Sequence, residues 1–97
     1  RAMSGEGFVF VRVLVEGRKG RLVEPPVVES RGWVEPDERE DWHGQVAAEV
    51  TEALAGPLAE GNCDPHELGR LTRRATGRLV SRRTGRKPTL VPVVEVR

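Results

Sequence analysis

Ninety-seven residues with a formal net charge of +1 make one small domain, too short to enclose a large active site. The single cysteine, Cys63, leaves no partner for an internal disulfide, and no apolar run approaches the ~18 residues of a membrane-spanning helix, so a cytoplasmic protein with no membrane partner is expected. Tyrosine is absent and only Phe8, Phe10, Trp33 and Trp42 are aromatic, which leaves the core to valine, leucine and alanine and favours a thin two-layer fold.

Residues 1–7, RAMSGEG, lack apolar periodicity and read as a flexible leader, a linker or a cloning remnant, with the domain proper over residues 8–97. FVFVRVLV follows, and its β-branched and aromatic content predicts a first strand. Val9, Val11, Val13 and Val15 fall on one face of that strand. Phe8, Phe10 and Leu14 fall on the other, interrupted only by Arg12. Both faces therefore demand cover. EGRKG is a hairpin signal, and RLVEPPVVES resumes the extended pattern. Pro25 and Pro26 remove two ladder donors, so this second strand is expected to be bent or broken, and to lie at a sheet edge or enter the sheet only in part.

A first helix is predicted from Asp37 as N-cap, with Glu40 completing a capping box. Trp42, Val46, Val50 and Leu54 recur at i+4 spacing, and Gly56 and Pro57 stop or kink the helix. The second helix begins at DPHE, with Asp64 as N-cap, Pro65 at the first helical position and Glu67 closing the box. Its apolar stripe is Leu68, Leu71, Ala75 and Leu79, and it ends before Gly85. TLVPVVEV is the last strand, expected beside the first. The order β-β-α-α-β predicts an α+β, two-layer fold with a three-stranded sheet and two helices packed on one of its faces.

Charge is divided unevenly along the chain. Residues 1–63 carry 7 Lys/Arg against 12 Asp/Glu, a balance of −5, whereas residues 64–97 carry 9 against 3, a balance of +6. The basic share is concentrated on the second helix in Arg70, Arg73, Arg74, Arg78, Arg82 and Arg83. These are candidate contacts to RNA phosphates, since the guanidinium fork suits bidentate phosphate binding. The plainer reading is a solvated helix face, and no aromatic is interleaved in sequence to offer a base-stacking platform.

Other chemistry finds little support. His43, Cys63 and His66 lack the paired spacing of a zinc site, and His43 falls within the apolar arc of the first helix, where a packed boundary histidine explains it. Ser30, Ser81 and Cys63 have no nucleophile motif around them. Glu38 and Asp41 are accounted for by the helix dipole. No catalytic residue, metal ligand or cofactor is assigned. With only two helices available, one sheet face should remain bare, and Phe8, Phe10, Arg12 and Leu14 are the candidate interface on it.

Two stretches carry a family resemblance. VVESRGWVEPDE, through Ser30, Arg31, Gly32, Trp33 and Val34, resembles the strand-to-helix passage of the bacterial RNase J proteins. TGRKPTLVPVVEV, through Thr84, Arg86, Pro88, Pro92 and Val93, is similar to the carboxyl-terminal stretch of the same family. The likeness extends over residues 8–96, with Trp33 standing where the family more often has phenylalanine. It implies the C-terminal domain of a 5′-3′ exo- and endoribonuclease acting in RNA degradation and processing. The nuclease site of that family lies in a metallo-β-lactamase domain with a β-CASP insertion, binds two metal ions, usually zinc, and carries a His-x-His-x-Asp-His motif that does not occur in these 97 residues. The domain itself is then a non-catalytic assembly module, its partners a second copy in a homodimer and the catalytic domains of the same enzyme. The alternative is an accessory module that holds the RNA backbone on its basic helix.

Overall fold

Alternating valines and bulkier residues put Phe8–Glu16 into an extended strand, β1, the axis of the molecule in the computed structural model, which describes residues 7–97. It is followed by β2 (Arg21–Leu22), β3 (Val27–Arg31), a 3-10 turn (Pro36–Glu38), α1 (Arg39–Ala59), α2 (Pro65–Thr84) and β4 (Thr89–Val96). Most of the expected leader, residues 1–6, lies outside the described residues. Gly7, its last residue, accepts the Thr89 N–H at 2.8 Å.

All three other strands hydrogen-bond to β1. Parallel β4 runs along its whole length, from Phe8 opposite Thr89 to Val15 opposite Val96. β3 and β2 pair antiparallel with its two ends, Phe8 opposite Arg31 and Val15 opposite Leu22, on the edge that β4 leaves. The sheet is thus four-stranded and mixed, and the observed order is β-β-β-α-α-β rather than the expected β-β-α-α-β. The reason is Pro25 and Pro26: lacking N–H groups, they cut the second strand into β2 and β3. The expected pairing of the last strand beside the first holds, as does the α+β, two-layer architecture.

One face of the sheet meets both helices. Val9, Val11, Val13 and Val15 are at most 2 % exposed, and burying each of them contributes roughly 1.5–3 kcal/mol. Over them lie Val46, Val50, Leu54 and Leu58 from α1 and Leu68, Ala75, Leu79 and Val80 from α2. α1 packs on β2 and β3, and α2 packs on β4. The stripe of α2 is broader than expected, because Thr72 and Thr76 are also buried. Thr72 satisfies its hydroxyl by donating to the Leu68 carbonyl at 2.8 Å, a bond that leaves only methyl surface facing the core.

Helix ends depart from the sequence reading in three places. Asp37 is not an N-cap; it sits inside the 3-10 turn, and α1 starts after Glu38 without a side-chain cap. Pro36 sets this entry, since a proline N-terminal to a helix pre-forms a tight first turn. Gly56 and Pro57 do not end α1, which continues to Ala59 because Leu58 is buried in the core. At α2, Asp64 is the N-cap and its Oδ1 accepts the His66 N–H at 3.2 Å. Glu67 does not close the box, for its carboxylate is taken by Arg70 at 2.7 and 3.1 Å, and the Asp64 N–H goes to Asn62 Oδ1 instead. Gly85, at φ 70°, caps the far end in the left-handed region as expected. Replacing Asp64 by alanine should therefore cost about 1 kcal/mol, a fall of roughly 4–8 °C in Tm. A thermal melt followed by circular dichroism checks this, with Asp64→Asn, which keeps the acceptor, close to wild type.

Candidate association face and basic helix

Cross-strand partners share a face, so the registers above also define the side of the sheet away from the helices. Its rungs are Arg31–Phe8–Thr89, Glu29–Phe10–Val91, Val27–Arg12–Val93, Leu14–Glu95 and Arg21–Glu16. Among the described residues no element covers this side. Val27, Val91 and Val93 are 36–37 % exposed, and Phe8, Phe10 and Leu14 are partly exposed. Arg12 is exposed and pairs with Glu24 at 3.6 Å. The SRGWV loop could have folded over the phenylalanines; instead Trp33 turns to the helical side, where it is 1 % exposed and packs on Trp42 with ring centroids 5.2 Å apart. The sequence signalled Phe8, Phe10, Arg12 and Leu14 on this face but missed Val27, Val91 and Val93, whose placement depends on register.

The sheet edge at β4 is blunted at its centre. Thr89 N–H donates to Gly7 and Arg97 N–H to Val15, so odd-numbered amides of β4 point at β1 and even-numbered ones point outward. Pro92 occupies an outward position in the middle of the strand. Its missing N–H costs the ladder nothing and deprives a further strand of a central donor.

On α2 the six candidate arginines, Arg70, Arg73, Arg74, Arg78, Arg82 and Arg83, are all exposed. They are not equivalent. Arg70 is tied to Glu67, whose carboxyl is held below the usual carboxylate range chiefly by that hydrogen bond. Arg83 lies over the Trp42 ring at 5.8 Å. Arg73, Arg74, Arg78 and Arg82 make no salt bridge among the described residues. A ring beside these arginines was invisible in the sequence, where Trp42 and Arg83 stand 41 positions apart. Only the packing of α1 against α2 unites them.

The two motif stretches meet in space. Trp33 Nε1 donates to Thr84 Oγ1 at 3.5 Å, and Arg86 Nη1 donates to the Trp33 carbonyl. Thr84 in turn donates to the Val80 carbonyl at 2.6 Å and accepts the Arg86 N–H at 3.1 Å. Trp33, Thr84 and Arg86 thus form one latch that ties the β3–α1 passage to the end of α2.

Ser30, from the first stretch, is 6 % exposed and hydrogen-bonds His43 Nε2 at 2.8 Å. Burial, and then the Arg39 charge, lower the His43 pKa below 6.5, while Glu29 pulls it the other way. A base whose pKa falls on folding binds fewer protons folded than unfolded. Its contribution to stability is complete above pH 6.5 and is lost as pH drops through the lowered folded value. Urea unfolding at about pH 7.5 and pH 5.5 should show a loss at the lower pH that is smaller in His43→Gln, and equal losses in the two proteins would contradict this.

Cys63 is a free thiol, partly buried, with Sγ 3.6 Å from the Gly17 carbonyl. Among the described residues no three His, Cys, Asp or Glu side chains gather as a metal site, and no helix is long and apolar enough to cross a membrane.

The sequence as a whole is similar to that of known proteins. The family model described as the ribonuclease J C-terminal domain matches residues 1–96. The ribonuclease J of Corynebacterium glutamicum is 32 % identical over 96 residues, which are 97 % of this chain and 13 % of that protein. The chain therefore spans about an eighth of the length of that relative. The chain thus belongs to the ribonuclease J C-terminal domain family.

Proposed function

We propose that this chain is the association module of a cytoplasmic ribonuclease J, and that its uncovered sheet face meets the same face of a second copy. The observation that carries the reading is the row of Phe8, Phe10, Leu14, Val27, Val91 and Val93 on a side that no described element covers. Contiguous apolar surface of this kind marks an interface.

Charge argues for a second copy as the occupant. The face bears Arg12, Arg21 and Arg31 against Glu16, Glu29 and Glu95, so its strand residues are neutral in sum and can meet themselves about a two-fold axis without net repulsion. Face-to-face contact is favoured over extension of the sheet, because Pro92 blunts the β4 edge.

In this reading the hydrolysis of RNA, exonucleolytic from the 5′ end and endonucleolytic, belongs to metallo-β-lactamase and β-CASP domains holding two zinc ions. The 97 residues here contribute no catalytic side chain and no cofactor ligand. Their role is to bring catalytic domains together. The test is the mass in solution of the wild type and of a variant charged on that face, developed in the Discussion.

A second reading is supported by the α2 arginines that lack a carboxylate partner. They form a basic wall suited to RNA phosphates, independent of sequence. Binding of RNA that weakens steeply with salt, and that weakens further on charge reversal at Arg73, Arg74 and Arg78, would support it.

A further inference from the structure

The basic helix and the tryptophans converge at one place. Trp42 is partly exposed, its ring plane tilted 59° to that of Trp33, and the Arg83 guanidinium lies 5.8 Å from its centre. Beside Trp42 opens a cavity of about 230 Å³ whose walls include Glu35, Glu38, Thr84 and Arg86. Single-strand binding sites combine these parts: an aromatic face on which any base can stack, and arginines within reach of the backbone. The larger groove between α2 and β4, of about 480 Å³, has Arg70 and Arg73 with the exposed His66 imidazole as its aromatic ring, and Arg70 there is already held by Glu67. It offers phosphate contacts with an imidazole for stacking, a smaller surface than the Trp42 indole.

We propose that the cavity at Trp42 binds one nucleotide of single-stranded RNA, the base stacked on the indole and the phosphate held by Arg83. Glu35 and Glu38 accept hydrogen bonds and donate none, so the base edge that fits carries an exocyclic amino group, cytosine ahead of uracil. Their negative charge keeps the phosphate away from the cavity floor and toward the end of α2, where Arg82 and Arg83 complete the helix. This site deepens the RNA-contact reading of α2 and rests on it; it does not depend on association through the sheet face.

Tryptophan emission tests it directly, since Trp33 is buried and Trp42 is the only other indole. Single-stranded oligocytidylate titrated into the 97-residue chain should quench the emission and bind several-fold tighter than oligouridylate. Trp42→Leu should weaken binding by roughly ten-fold or more. Arg83→Gln, at an exposed position, should weaken it and reduce the slope of log K against log salt by about 1. Phe10→Glu should bind as wild type, which separates this site from the association reading. Inorganic polyphosphate should bind without quenching.

Unchanged affinity in both Trp42→Leu and Arg83→Gln, or equal affinity for the two oligonucleotides, would overturn the assignment. Salt-sensitive binding of oligonucleotides with no quenching would leave the phosphate wall standing and remove this cavity from it. A lysine oligomer that quenches where oligocytidylate does not would give the cavity to a cationic ligand instead.

Discussion

Trp33→Ala should lower the stability of the domain by roughly 3–5 kcal/mol, the range for emptying a buried aromatic site. Two side-chain contacts of a ring only 1 % exposed go at once: its packing against Trp42 at 5.2 Å and the hydrogen bond that its Nε1 donates to Thr84. A domain of this size has about 5–15 kcal/mol in total, so the loss is a large part of the whole and corresponds to a fall of roughly 12–40 °C in Tm. Guanidinium unfolding followed by circular dichroism measures it. Trp33→Phe, which restores the residue more usual at this place in the family, should recover most of the loss because the ring remains and only a long hydrogen bond goes. A loss below about 1 kcal/mol for the alanine variant would mean that the latch does not hold the two motif stretches together.

How far the sequence revealed this molecule differs from element to element. β1 and β4 were legible because runs of β-branched residues have few alternatives, and the start and stop of α2 were legible because Asp64, Pro65 and Gly85 act locally. The division of the second strand was legible as a break but not as two separate strands, since whether the chain rejoins a sheet after two prolines depends on its neighbour. The entry to α1 was misread: Asp37 and Glu40 have the spacing of a box, but Pro36 starts a 3-10 turn one step earlier. Thr72 was missed in the core of α2 because a hydroxyl returned to the preceding turn looks polar in sequence and apolar in the fold.

The same distinction holds for the candidate sites. Phe8, Phe10, Arg12 and Leu14 could be assigned to one face from alternation within a single strand. Val27, Val91 and Val93 could not, because their side depends on pairing register across strands. The arginines were countable in the sequence, but not that Arg70 is occupied by Glu67 and that Arg83 meets a tryptophan from another helix. Partnership between distant residues is a property of packing, and it changes what each arginine can do.

Association through the sheet face carries the second large expected effect. Phe10 stands in the rung between Glu29 and Val91. A glutamate there would put two like charges near the two-fold axis of a dimer and next to Glu29 of each copy. Burying an unpaired carboxylate costs several kcal/mol, and each 1.4 kcal/mol is about ten-fold in affinity, so the dimer should weaken at least about a hundred-fold. The monomer should survive, because Phe10 points away from the helices and the valine face is untouched. Val91→Lys, on the neighbouring strand, should act in the same direction.

Sedimentation velocity across a concentration series, on wild type, Phe10→Glu and Val91→Lys with circular dichroism confirming the fold of each, puts the association face to the test most directly. The structure leads us to expect a wild-type dimer that dissociates on dilution and two variants that stay monomeric throughout. A wild type that sediments as a monomer at the highest concentration, or variants that dimerise as well as wild type does, would contradict it.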